Sequence, residues 1–201
     1  MPPATHTAEN AVLDAVAHGT SDNAFAILGR HEITDRGRPA VVVRTMQRAA
    51  SEVELVRVPG RQTTRMERRH RDGLYEAIVA LEGAKAIEFD YRLRVTDAGG
   101  ETREVDDPYR YGQVLTDFDL HLFAEGTHYR AWEILGSRCV TVGTARGVHF
   151  ALWAPNAQRV SVVGDFNRWD GRVNPMRKLL PSGVWELFVP DLPDGTKYKF
   201  E

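Results

Sequence analysis

The turn Asp165-Phe-Asn-Arg-Trp169-Asp-Gly171 holds the most suggestive group of side chains in the chain. A tryptophan flanked by carboxylates and an amide offers a flat apolar ring for stacking, with polar groups at its rim. Trp169 would be the platform, Asp165 an acceptor, and Asn167 either a hydroxyl partner or a turn former, while Phe166 anchors the turn inward. The competing reading is that Trp169 only packs over the turn and fixes its shape. Phe150, Trp153 and Trp185 lie in strand patterns and are expected in the core or half-buried.

The other chemistry-bearing residues give no catalytic centre. Asp106, Asp107, Asp165, Asp170, Asp191 and Asp194 all occur in turn sequences rich in Gly, Pro or Asn, where Asp bonds the local backbone. No acid/base pair is assigned. His121 and His128 are two helical turns apart, about 10.5 Å, too far to share an ion. Gly126 also ends the helix between them, and the remaining histidines are scattered, so no metal site is assigned. There is no Gly-rich phosphate loop, Cys-X-X-Cys or serine elbow.

The elements that must position the turn are mostly strands. A short helix is expected over residues 8–18, capped by Thr7, with Ala11, Val12, Ala15 and Val16 as its apolar face and Gly19 after its end. Val41–Arg44, Val53–Val58, Leu74–Leu81 and Ile87–Val95 then read as strands, separated by turns such as Asp72-Gly73 and Asp97-Ala-Gly-Gly100. The sequence breaks at Asp106-Asp107-Pro108. A second helix is expected over Thr116–Glu125, with Thr116 as cap, Asp119 in its first turn and Leu115 stapled on Leu120. Strand signals resume at Val140.

An internal repeat links the two strand regions. At an offset of 107 positions (160 − 53), the stretch Met46 to Val56 lies under Trp153 to Val163. At an offset of 110 (183 − 73), Asp72-Gly-Leu-Tyr-Glu76 lies under Ser182-Gly-Val-Trp-Glu186. Two matches at nearly one offset indicate two copies of one sandwich in tandem. The expected organisation is all-β: a tail and helix (1–19), a first immunoglobulin-like antiparallel β-sandwich (20–106), a linker with a helix (107–136) and a second sandwich (137–201).

The run Gly147-Val-His-Phe-Ala-Leu-Trp153-Ala-Pro-Asn-Ala157, then Val160-Ser-Val-Val-Gly164-Asp-Phe-Asn-Arg-Trp169-Asp-Gly-Arg172, then Pro175-Met-Arg177, resembles the glycogen branching enzymes. It is also similar to carbohydrate-binding module family 48, which precedes the barrel in glycoside hydrolase family 13. Ala24-Phe-Ala-Ile-Leu-Gly29-Arg-His31 and Asp107-Pro-Tyr-Arg-Tyr-Gly112 resemble the branching enzymes' N-terminal region.

The resemblance implies a non-catalytic front end that binds or orients an α-glucan, glycogen or malto-oligosaccharide, without cofactor. Its partner would be a (β/α)8 catalytic domain, expected beyond Glu201, that forms α-1,6 branches. It also implies sugar contact by Trp169 and Lys199. Two alternatives stay open: modules that only brace the barrel, and the front end of a related debranching hydrolase.

Composition narrows the partners. The net charge of −2 gives no reason to expect a nucleic-acid partner, and the Arg65–Arg71 run, interrupted by Glu67, reads as a solvated strand face. No apolar run approaches the roughly 20 residues of a membrane span. One cysteine, Cys139, allows no intrachain disulfide, and with no apolar leader this points to the cytoplasm.

Overall fold

The computed structural model describes residues 8–80 and 90–201. It is mostly antiparallel strand and divides into two compact units. The first comprises residues 1–20 and 27–109. The second comprises 21–26 and 110–201.

In the first unit, helix α1 (Asn10–His18) precedes β1 (Gly29–Asp35), β2 (Arg38–Met46), β3 (Ala50–Val58), β4 (Thr63–Arg65), β5 (Glu67–His70), β6 (Leu74–Ala80), β7 (Asp90–Asp97) and β8 (Thr102–Val105). One sheet runs β1-β2-β6-β5 and the other β4-β3-β7-β8. Alternation along the strands puts Val41 and Val43 of β2 and Tyr75, Ala77 and Val79 of β6 on one inner face. They meet Val53 and Leu55 of β3 and Tyr91, Leu93 and Val95 of β7. Burying each large apolar side chain contributes about 1.5–3 kcal/mol. The β2 strand is covered on both faces from Ala40 to Met46, which explains its unbroken Val41-Val42-Val43 run.

The helix differs from expectation at its start. It begins at Asn10, Glu9 is the cap residue and makes no side-chain cap bond, and Thr7 lies outside the described residues. Its buried side chains are Leu13, Val16 and Ala17; Val12, expected on the apolar face, is exposed. The expected strands are present where described; residues 81 and 87–89 lie outside the described residues.

In the second unit, helix α2 (Asp117–Glu125) is followed by β9 (Gly136–Val142), β10 (Ala145–Trp153), β11 (Val162–Gly164), β12 (Arg177–Leu179), β13 (Val184–Pro190) and β14 (Tyr198–Phe200). The sheet β12-β13-β10-β9 faces the β11-β14 pair. Phe150 of β10 meets the rings of Tyr198 and Phe200 at 4.8 and 6.4 Å. Thr116 caps α2 as expected, its hydroxyl accepting the Asp119 N–H at 3.1 Å. Leu115, Leu120, Phe123, Ile134 and Leu135 pack with Ala151, Leu179 and Val184, so the helix and its flanks cover the outer face of the β10–β13 sheet.

The repeat extends beyond its two sequence matches. Met66 N–H bonds the Val53 carbonyl at 2.9 Å, and Met176 N–H bonds the Val160 carbonyl at 2.8 Å. The Tyr75 hydroxyl donates to Ala50 O in one unit, and the Trp185 ring N–H donates to Ala154 O in the other. A cation from the neighbouring strand stands over each ring, Arg68 over Tyr75 and Lys178 over Trp185. Gly73 and Gly183 both have positive φ, +94° and +74°, and their carbonyls accept Gln47 N–H and Ala154 N–H. A Cβ at either would collide with the loop opposite, so both turns require glycine. A third match was missed in the sequence: Ala24-Phe-Ala-Ile-Leu-Gly29 and Ala131-Trp-Glu-Ile-Leu-Gly136 each form a 3₁₀ turn leading into the first strand.

Candidate functional site

The turn after β11 is built to present Trp169. Arg168 and Trp169 both adopt left-handed backbone, φ +57° and +59°. This conformation costs L-residues about 1–2 kcal/mol each, so the surroundings must enforce it. Asn167 does so from beneath. It is 7% exposed; its Oδ1 accepts Gly164 N–H at 2.9 Å, and its Nδ2 donates to Val162 O and to Asn174 Oδ1. Of the two roles expected for Asn167, this geometry is that of the turn former. Trp169 N–H closes the turn on Gly164 O at 2.8 Å.

The indole itself is held at its rim. Trp169 Nε1–H donates to Asp165 Oδ1 at 2.7 Å, while the residue stays 43% exposed. Asp165 is exposed too. Asp170 is engaged by Arg172, whose Nε and Nη2 reach its two oxygens at 2.8 and 2.9 Å. Lys199 sits on β14 opposite Val163 of β11. Tyr198 and Phe200 turn inward to Phe150, so alternation turns Lys199 outward, where it is exposed. A pinned, partly exposed ring with acceptors at its edge suits a ligand that has an apolar face and hydroxyl edges.

The structure moves Trp153 out of the core. Phe150 and Trp185 are 1% exposed, as expected, but Trp153 is 53% exposed. It ends β10 on the sheet's outer face, beyond Ala151, which the helix and its flanks cover. Its ring N–H is anchored on Ser182 O at 3.2 Å.

The sequence reading passed over the buried acids of the two repeats. Glu186 on β13 is fully buried, and its carboxylate accepts from His149 Nε2, Arg177 Nε and Nη2, and the backbone N–H groups of Val114 and Leu115. Burial opposes its charge, but the His149 bond, the Leu115 N–H and the Arg177 charge together hold its pKa below the usual carboxylate range. Glu76 occupies the same place on β6 and is clamped by Arg44 Nε at 2.6 Å and by Arg69. Within the Arg65–Arg71 run, Arg65, Glu67, Arg68 and Arg71 are exposed as a solvated face requires, but the Arg69 side chain is only 7% exposed. The aligned Gly-apolar-aromatic-Glu pattern was the available signal. The buried acids are structural: each ties its strand to both neighbours.

Nor are the histidines all scattered, for His18 and His70, 52 residues apart (70 − 18), meet ring edge to ring face at 5.2 Å. His121 pairs with Glu125, and His128 with Asp119.

Two tandem β-sandwiches, the second displaying a pinned tryptophan, define an accessory-module architecture. The family comparison specifies it. Residues 9–109 match the model for the alpha-1,4-glucan branching enzyme GlgB N-terminal domain, and residues 135–201 match carbohydrate-binding module 48 (isoamylase N-terminal domain). The chain belongs to the GlgB branching-enzyme family and corresponds to its N-terminal region.

It is 47% identical over 201 residues to the 1,4-alpha-glucan branching enzyme GlgB of Paramagnetospirillum magneticum, and 48% identical over 198 residues to that of Gloeobacter violaceus. These matches cover 100% and 97% of this chain but 26% of each relative, so the chain spans about a quarter of their length. Among solved structures, a pullulanase from Bacillus acidopullulyticus is 25% identical over 41% of this chain and 10% of its own, at a TM-score of 0.32. Among the described residues no helix is long and apolar enough to cross a membrane.

Proposed function

We propose that the second module holds an α-glucan chain for a branching reaction carried out by a catalytic barrel in the full-length protein. Trp169 covers the apolar face of one glucose ring, Asp165 accepts from its hydroxyls, Lys199 donates to them, and Asn167 shapes the turn. The observation that carries this reading is the exposed Trp169 ring, fixed by Asp165 in a strained turn that Asn167 enforces. The match to carbohydrate-binding module 48 supports it. The reading places the protein in the cytoplasm, in keeping with a lone, exposed cysteine.

One stacked ring contributes about 0.5–1.5 kcal/mol beyond its buried area, and each hydroxyl bond about as much net. After the cost of association, the expected affinity for maltoheptaose is around millimolar, about −4 kcal/mol. Titration followed by NMR shifts should show binding in the native chain and none in Trp169→Ala. Unchanged binding in Trp169→Ala would remove the site assignment.

A bracing role is the second reading. It is favoured by Phe118, Tyr129 and Trp132, which are 67%, 84% and 69% exposed, more than Trp169. Absence of glucan binding by the full-length protein at this turn would select it.

A further inference from the structure

We propose that the first unit carries a site for a borderline divalent cation such as Zn²⁺ or Co²⁺, with His18, His70 and Asp72 as ligands and Asp14 behind His70. The side chains come from two elements. Asp14 and His18 are four residues apart on α1 and so share a face. His70 ends β5, and Asp72 follows it in the turn to β6.

One ligand atom from each of His18, His70 and Asp72 lies within 4.8 Å of the others. Asp72 Oδ2 is 3.8 Å from His18 Nε2 and 3.7 Å from His70 Nδ1. A tetrahedral ion with arms of about 2.0–2.2 Å spaces its ligand atoms about 3.3–3.5 Å apart. The two distances to Asp72 are therefore a few tenths of an ångström too long, and the two imidazole nitrogens lie within 4.8 Å of each other, so rotation of the half-exposed His18 must draw the set together.

The tautomer of His70 suits the role. Asp72 N–H donates to His70 Nδ1 at 3.1 Å, which puts the lone pair on Nδ1 and the proton on Nε2. Nε2 faces Asp14 Oδ1 at 3.6 Å. A carboxylate behind the second ring nitrogen is the arrangement that orients metal-bound histidines and raises their basicity. Ion binding at Nδ1 displaces the Asp72 N–H, a loss the two imidazoles and the carboxylate must offset.

Two of the neighbouring cations are directed elsewhere. Arg69 is buried against Glu76, and Arg68 lies over Tyr75. His18 remains 51% exposed at its side chain, leaving access for the ion and room for a water as fourth ligand. His and carboxylate donors select Zn²⁺ and its neighbours over Ca²⁺ or Mg²⁺. Occupancy would staple the end of α1 to the β5–β6 turn.

The test is calorimetric titration of the chain with Zn²⁺ at pH 7.5, together with the visible spectrum of the Co²⁺ form. One ion per chain is expected, with absorption of four- or five-coordinate Co²⁺. His18→Ala, at an exposed helix end where folding is undisturbed, should weaken binding at least about tenfold. Asp14→Asn should weaken it roughly tenfold through His70. His121→Ala, which removes a surface histidine elsewhere, should leave it unchanged. Equal Zn²⁺ binding by the native chain and His18→Ala would overturn the proposal, as would millimolar binding by the native chain.

Discussion

Replacing Glu186 by alanine should remove the keystone of the second unit. The carboxylate is fully buried and answers five donor groups: His149 Nε2, Arg177 Nε and Nη2, and the N–H groups of Val114 and Leu115. Each buried donor left without a partner costs about 1–3 kcal/mol. Arg177 keeps contact with water, its side chain being 20% exposed, so its share is smaller. The whole loss should be about 3–5 kcal/mol, as for other broken buried ion pairs.

Urea unfolding read by tryptophan fluorescence isolates this unit, because the only tryptophans are Trp132, Trp153, Trp169 and Trp185. With a slope of roughly 1.5 kcal/mol per molar urea, the midpoint should fall by about 2–3 M. The pH dependence follows from the lowered pKa of Glu186. Its contribution is present above the unfolded value of about 4.3 and is lost as pH falls through the lower folded value. The gap between the native chain and Glu186→Gln should therefore be widest near neutrality and close below about pH 4. A Glu186→Ala midpoint within about 0.3 M of the native one at pH 7, or about 0.5 kcal/mol, would refute the role assigned to the cluster.

Other substitutions test the repeat and the helix. Gly183→Ala puts a Cβ 2.7 Å from the Pro155 side chain at φ +74°, and should cost about 2–4 kcal/mol in urea unfolding. Gly195→Ala, at φ +78° with nothing within 4 Å, should cost only about 1 kcal/mol. Thr116→Ala removes the α2 cap and should cost about 1 kcal/mol, visible as faster amide exchange at Asp119. Purified chain should show no branching or glucan hydrolysis by iodine staining or linkage assay, and enzyme-dependent turnover would contradict its reading as an accessory region.

Local patterns carried most of the secondary structure. The cap at Thr116, the stop at Gly126 and the β-branched runs of β2 and β3 are decided within a few residues, so they can be read one segment at a time. The repeat was legible because both copies keep the glycine that turns backward and the aromatic that follows it. The Trp169 turn could be picked out by composition, with Asn167 given two possible roles. Its side chain has three bonds and little exposure, a geometry that depends on Asn174 coming back across the loop.

Contacts between distant segments were not written in any local pattern. Trp153 shares its strand pattern with Phe150 but faces outward where the cover of α2 and its flanks ends, so its exposure depends on packing rather than period. Glu76 and Glu186 look like any strand glutamate until the register sets Arg44 opposite the first and Arg177 opposite the second. His18 and His70 are ordinary residues 52 positions apart (70 − 18), and only the seating of α1 beside β5 brings their rings and Asp72 together. Burial and charge pairing depend on which strands lie side by side and what covers them, and a single segment holds neither fact.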